Sequence, residues 1–366
     1  MKRFDHPVYV TRPYLPPLED FQKGCAEIWA NQWLTNNGPL ARRFHSALAA
    51  RLGVSETNLA LFANGTLALE LAFAALGIND GEVITTPFTF VATAHAIVRA
   101  GAKPVFADID PDTLCLSPEA AERAITPRSR AIVPVHVYGN TCDVAGFQRL
   151  ADQYGVKIVY DAAHAFGVPS LATAGDVSMF SFHPTKLFHS AEGGLLVFKD
   201  PSLQEKLFEL RNFAIHSETE CTAVGTNAKM NEFQALMGLL CLEKMDDLLA
   251  HRRIIHDTYT NAFADCPDIH LFPHSLNRAY VPVLFKDFST RERVYSGLRE
   301  KCNVFARRYF YPLLTDFPPY AYAKNTCPIA QHLASCVLTL PTYHDLATDE
   351  VRSIAESIIQ MMKNRQ

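Results

Sequence analysis

An α/β protein is predicted: a large domain on a mostly parallel sheet covered by helices, followed by a smaller C-terminal α+β domain. Three observations predict it. Between residues 59 and 198, short apolar runs alternate with helical patterns, the rhythm of repeated strand–helix–strand units. The chain has 366 residues, too many for one small core and suited to two domains. From residue 240 onward the alternation gives way to a long helical pattern and isolated strands.

The elements follow in order. "LALF" is a strand, and "TLALELAFAALG" a helix stopped by Gly77. "EVITTP" is a strand, and "FVATAHAIVRAG" a helix with Gly101 as its stop. "KPVFADI" is a strand, and "SPEAAERAI" a helix capped by Ser117 with Pro118 in its first turn. "RAIVPVHVYG" is read as a strand, "VAGFQRLADQYG" as a helix and "KIVYDAA" as a strand. "GDVSMFSFH" and "GGLLVFKD" add two more strands. "LLCLEKMDDLLAHRRIIHDTYTNAFAD" is expected as one long helix linking the domains, which divide as 1–245, with an N-terminal arm over 1–40 packing near the active site, and 246–366. "AYVPVLFKD" and "VLTLPTYHDL" are strand segments of the smaller domain, and "TDEVRSIAESIIQMMKNR" is an amphipathic terminal helix.

Bulk properties exclude several classes. A formal net charge of -4 provides no basic field for nucleic acid or anionic membranes. Nine scattered cysteines without a C-x-x-C pair argue against a disulfide framework or a zinc module, and for a reducing compartment. "MKRFDHPVYVTRPYLPP" has no secretory h-region, and no run has the length of a membrane span. No H-E-x-x-H or comparable spacing marks a metal site. A cytoplasmic enzyme is the expectation.

Parallel sheets place their chemistry at the carboxyl ends of strands. The residues there are informative. "NGT" opens a helix, so Gly65 lets backbone approach a phosphate, Thr66 adds a hydroxyl, and the helix start offers unpaired N–H groups. Neither G-x-x-x-x-G-K-[ST] nor G-x-G-x-x-G is present, which disfavours nucleotide P-loop and dinucleotide folds. Phe88 follows the second strand, Asp161 ends an apolar strand, and Ser181 precedes Lys186 in "SFHPTKLFHSAEGG". An amine for an aldehyde, a carboxylate for a pyridinium, an aromatic for a ring face and a phosphate cradle together describe a pyridoxal 5'-phosphate site.

The chain also resembles the DegT/DnrJ/EryC1/StrS family of sugar aminotransferases, in "WLTNNGPL", "NGTLAL", "GEVITTPFTFVATAHAI", "PVFADIDPDT", "PVHVYGNTCDV", "YDAAHAFG", "SFHPTK…EGG" and "TNAKMNEFQA". That resemblance implies the fold-type I aminotransferase architecture. It makes Lys186 the Schiff-base lysine and Asp161 the partner of the ring nitrogen. It sets His164 where relatives carry glutamine near the ring's O3', and makes Phe88 the stacking aromatic. Gly65, Thr66 and Ser181 become phosphate contacts. Asn227 becomes a contact to the cofactor phosphate of the neighbouring subunit, which implies a homodimer with composite sites. Lys229 and Tyr311 fall where relatives touch the sugar nucleotide across that interface. "LTNNGP", "DAAHAFGV", the "SFH-x-TK" loop and "RRYFYPL" resemble the branch that makes dTDP-4-amino-4,6-dideoxyglucose from the 4-keto sugar nucleotide and L-glutamate. Transaminases making 3-amino sugars and GDP-perosamine synthases share nearly all these motifs. A non-catalytic, cofactor-binding regulatory relative is the alternative of another class. Family dehydratases carry histidine at the lysine position, so Lys186 separates this chain from them. Pro184, His189 and the short segment between "AFGV" and "GDVS" depart from close relatives.

Overall fold

The computed structural model describes residues 1–272 and 275–363. A seven-stranded sheet forms the centre, in the order Leu59–Phe62, Gly194–Phe198, Val177–Ser181, Lys157–Asp161, Ser129–Ile132, Glu82–Thr85 and Lys103–Phe106. Gly194–Phe198 runs antiparallel to both its neighbours, and the remaining pairs are parallel. Leu59–Phe62 and Gly194–Phe198 are buried throughout, because helices cover both faces of the sheet.

Local chemistry sets the helix starts, at Ser117 as expected. Asn64 caps Gly65–Ala75 by accepting from the Leu67 N–H, and Ser117 caps Pro118–Arg123 by accepting from Ala120. Asp143 does the same for Val144–Tyr154, which ends on left-handed Gly155. Glu232, nearly fully buried, accepts from the Leu40 and Ala41 N–H groups at 2.8 and 2.9 Å and so caps Pro39–Leu52 from a distant segment.

Two expectations are corrected. The strand expected over "RAIVPVHVYG" is only Ser129–Ile132, since Pro134 has no N–H for the ladder. Val135 still bridges Asp161, and Val137–Gly139 is a tight turn with Tyr138 at φ 57°. The long linking helix is two helices, Glu232–Leu242 and Met245–Phe263. The break lets Leu236 and Cys241 pack with Phe44 and Phe182, while Ile255, Tyr259 and Phe263 join a separate C-terminal core.

That C-terminal core lies against a three-stranded antiparallel sheet, Ile269–Leu271, Val281–Phe285 and Val337–Leu340. Phe4 and Val8 belong to it, and Val8–Tyr9 pairs in parallel with Val304–Phe305. Helix Thr348–Lys363 buries Val351, Ile354, Ala355, Ile358 and Met361 there. Among the described residues no helix is long and apolar enough to cross a membrane.

Candidate active site

The carboxyl ends of the parallel strands open into a cleft of about 690 Å³. Asp161 and Ser181 are the last residues of their strands. Gly65 and Thr66 begin the helix that follows Leu59–Phe62. Because Gly194–Phe198 runs the opposite way, its first residue lies at this same edge, in register between Phe62 and Ser181. The Glu192–Gly193–Gly194 turn is therefore brought to the site by topology.

Gly194 is required by close approach, and Gly65 sits in a tight one. A Cβ on Gly194 would stand 2.4 Å from the Asn64 carbonyl oxygen, and one on Gly65 would stand 3.0 Å from Met179 Sδ and 3.1 Å from Ser181 Cβ. Strand, turn and helix start thus close into a concave cradle. The first turn of an 11-residue helix points its amide groups and positive dipole end there, as a phosphate needs.

Asp161 lies on the cleft wall and is almost fully buried. Oδ2 accepts from the Thr93 hydroxyl at 2.7 Å and Oδ1 from the Ala163 N–H at 3.0 Å. Thr93 has one proton and gives it to Asp161, so the Thr89 hydroxyl, 3.0 Å away, donates to Thr93. Burial pushes the Asp161 carboxyl up from its ordinary value, while Thr93, Ala163 and the charge of Lys186 oppose that rise. A buried carboxylate without a guanidinium or ammonium bonded to it is costly. A protonated ring nitrogen would relieve that cost.

Lys186 lies on the same wall, in a turn closed by its N–H bond to the His183 carbonyl at 2.9 Å. Burial pushes its ammonium down; Tyr309 and Asp161 oppose this and Arg307 reinforces it. The shift is toward the neutral amine, the form that attacks an aldehyde. His164 Nδ1 accepts from the Tyr138 N–H at 3.1 Å. Burial, then Lys186, hold His164 well below the usual imidazole range, so it is neutral with its proton on Nε2.

Gly65, Thr66, Asp161, His164, Ser181 and Lys186 are all brought together on the cleft wall. Phe88 is not, and its expected stacking role is corrected. It is fully buried beneath the site, edge-on to Tyr138 and Phe310 at 6.2 and 5.6 Å. Phe90, two positions on and the N-cap of Val91–Arg99, lines the cleft at 58% exposure. The second aromatic of "PFTF" was its only sequence signal. Asn227 is exposed, bridged to Asn212 and not among the residues lining the cleft. Lys229, bonded to Asn212, lines a separate small pocket, and the Tyr311 ring packs against Arg291, 4.5 Å from its guanidinium carbon.

Beside Phe90, sequence reasoning gave no role to Thr93 or Arg307, and quoted Tyr309 only within "RRYFYPL". Thr93 is an ordinary helix threonine until the fold places it on Asp161. Arg307 and Tyr309 reach the cleft from the C-terminal half, with Arg307 Nη1 donating to Tyr309 Oη at 2.6 Å.

A buried lysine amine, a buried carboxylate and an anion cradle on one cleft are the donor set that pyridoxal phosphate requires, and the residues present fit it. The fold and site are those of a pyridoxal phosphate-dependent aminotransferase. The chain belongs to the DegT/DnrJ/EryC1/StrS aminotransferase family, whose profile matches residues 18–359. A dTDP-4-amino-4,6-dideoxy-D-glucose transaminase of Shigella dysenteriae is 43% identical to it over 97% of this chain and 99% of its own length. One from Escherichia coli is 39% identical over 98% of this chain and 100% of its own. The crystal structure of DesI in the presence of its TDP-sugar product superposes with a TM-score of 0.92 at 34% identity, covering 100% of this chain and 95% of that one.

Proposed function

We propose that this enzyme transaminates dTDP-4-dehydro-6-deoxyglucose with L-glutamate, giving dTDP-4-amino-4,6-dideoxyglucose and 2-oxoglutarate. The observation that carries the reading is Lys186 and Asp161 on one cleft, in a chain similar along nearly its whole length to two transaminases of that name. GDP-perosamine synthases are less similar, at 31% identity.

When bound, pyridoxal phosphate supplies an aldehyde that condenses with amines and a ring that accepts the electron pair of a carbanion. In this reading Gly65, Thr66 and Ser181 hold its phosphate against the helix start. Asp161, fixed by Thr93 and Ala163, keeps a negative charge at the ring nitrogen. His164 offers a fixed Nε2–H donor, the polarity a glutamine amide would offer. Phe90 covers the ring face in place of Phe88. Lys186 Nζ takes the proton from the donor's α-carbon and returns one to the sugar carbon, as general base and then general acid. Donor and acceptor use one site in turn, so the kinetics are ping-pong.

The same reading makes the protein a cytoplasmic homodimer in which Asn227 and Lys229, with Tyr311, serve the neighbouring subunit's site. The exposure of Asn227 supports this. The division into 1–245 and 246–366 is part of it, supported by the helix break at Lys244, although the C-terminal core also takes in Phe4 and Val8 of the N-terminal arm. The test is incubation with glutamate and a panel of 3-keto and 4-keto sugar nucleotides, with product identity by mass and NMR. The expected product is the 4-amino sugar nucleotide, and Lys186→Ala should make none. An unchanged panel, or turnover surviving Lys186→Ala, overturns the reading.

A further inference from the structure

Two histidines flank Lys186, and the structure gives them different surroundings. His189 is nearly fully buried. Its Nδ1 accepts from the Ala191 N–H at 3.2 Å, which leaves the ring proton on Nε2 to donate to the Tyr14 carbonyl at 2.7 Å. Both nitrogens are used, and His189 ties the loop to the N-terminal segment.

His183 faces the cleft with its side chain 46% exposed. Its Nδ1 accepts from the Thr185 N–H at 3.2 Å, and the Thr185 hydroxyl stands 2.8 Å from the same atom. Nδ1 therefore carries no proton, and Nε2 is a donor of fixed direction. Glu192 Oε1 lies 3.6 Å from that Nε2, also on the cleft wall and 53% exposed. The turn carrying Glu192 is rigid. Its carbonyl accepts from the Ser190 hydroxyl at 2.8 Å, and a Cβ on Gly193 would stand 2.2 Å from that oxygen. His183 is locked to Lys186 by the turn already described.

The wall beside the reactive amine is thus a paired donor and acceptor, with a carboxylate as the acceptor. Charge decides what it takes. The donor amino acid brings two carboxylates and the nucleotide brings phosphates, and Glu192 repels both. An uncharged ring bearing hydroxyls suits it, since each hydroxyl accepts from an N–H and donates to a carboxylate. We propose that His183 and Glu192 bind the hydroxyl groups of the acceptor sugar, and so select the keto substrate without touching the amino-acid donor. This rests on the sugar-nucleotide reading above.

The experiment uses the full-length holoenzyme and separates the half-reactions through the absorbance of the bound cofactor. One mixing adds L-glutamate to the aldehyde form. The other adds dTDP-4-dehydro-6-deoxyglucose to the amine form. His183→Asn keeps an acceptor for the Thr185 N–H but removes the Nε2 donor. His183→Gln places an N–H where Nε2 was. Glu192→Ala removes the acceptor at a half-exposed position. For His183→Asn and Glu192→Ala, kcat/KM for the keto sugar should fall on the order of ten- to hundredfold, while the glutamate half-reaction stays within about twofold. His183→Gln should recover most of the loss. If both half-reactions fall together, or neither falls, the proposal is wrong and the pair only shapes the loop. If the parent enzyme completes the glutamate half-reaction but is turned over by no keto sugar nucleotide, the substrate reading fails and takes this proposal with it.

Discussion

Replacing Thr93 with valine removes one hydroxyl and keeps the branched shape of the side chain. That hydroxyl is the 2.7 Å donor to Asp161 Oδ2, in a place where water does not reach. A hydrogen bond to a charged group is worth about 1.5–3 kcal/mol. Without it the Asp161 carboxyl, already pushed up by burial, rises further. Its charge is then harder to keep opposite the cofactor ring. At 1.4 kcal/mol per factor of ten, cofactor retention should weaken roughly 10- to 150-fold. The sign with pH follows. A higher Asp161 pKa means protonation at higher pH, so the deficit should be largest on the acid side and shrink as pH rises. Thr89 also loses its acceptor, which costs stability of about 1–3 kcal/mol. Equilibrium dialysis of the cofactor across pH, with denaturant unfolding of the cofactor-free protein, reads both effects. Affinity within about twofold of the parent at every pH would refute the claim that the Thr93 bond holds Asp161 in its working state.

Two further predictions concern the aromatic pair and the buried imidazoles. Phe88→Ala should cost about 3–5 kcal/mol in unfolding experiments, as a large side chain lost from the core. Phe90→Ala should change stability by less than about 0.5 kcal/mol yet weaken cofactor retention in dialysis; equal effects of the two on cofactor retention would contradict their placement. Burial pushes His136 and His256 down to about 3, and His164 well below its ordinary value. These depressed values mean stability is present above the unfolded pKa of 6.5 and lost as pH falls toward 3. Denaturant midpoints should fall steeply from pH 7 to pH 5, with His136 and His256 together removing about 4 kcal/mol by pH 5.

Much of the site was legible because its residues sit at strand ends that local patterning marks. Asp161 closes an apolar run, Gly65 and Thr66 open a helix behind Asn64, and Ser181 ends a strand just before Lys186. Each of those positions follows from the period of a short segment and the chemistry of its turn. Phe88 and Phe90 defeated the same reasoning. Both lie within one irregular turn, where no period says which ring faces the cleft and which faces the core. Thr93 carries no local mark at all, and nothing in "RRYFYPL" tells that Arg307 and Tyr309 turn toward a cleft built by the other half of the chain.

The sequence by itself determined the alternation of strands and helices between residues 59 and 198, the family, and the strand-end positions of Gly65, Thr66, Asp161 and Ser181, because these follow from patterns within short segments. Only the tertiary structure decided that the linking helix breaks at Lys244, that Phe90 and not Phe88 meets the cleft, and that the Glu192–Gly194 turn comes to the cradle. It also decided that His189 is spent on packing while His183 faces the cleft. The physical reason is common to all of them: each depends on contacts between segments far apart in the chain, where burial and hydrogen-bond supply, not local propensity, choose which way a side chain points.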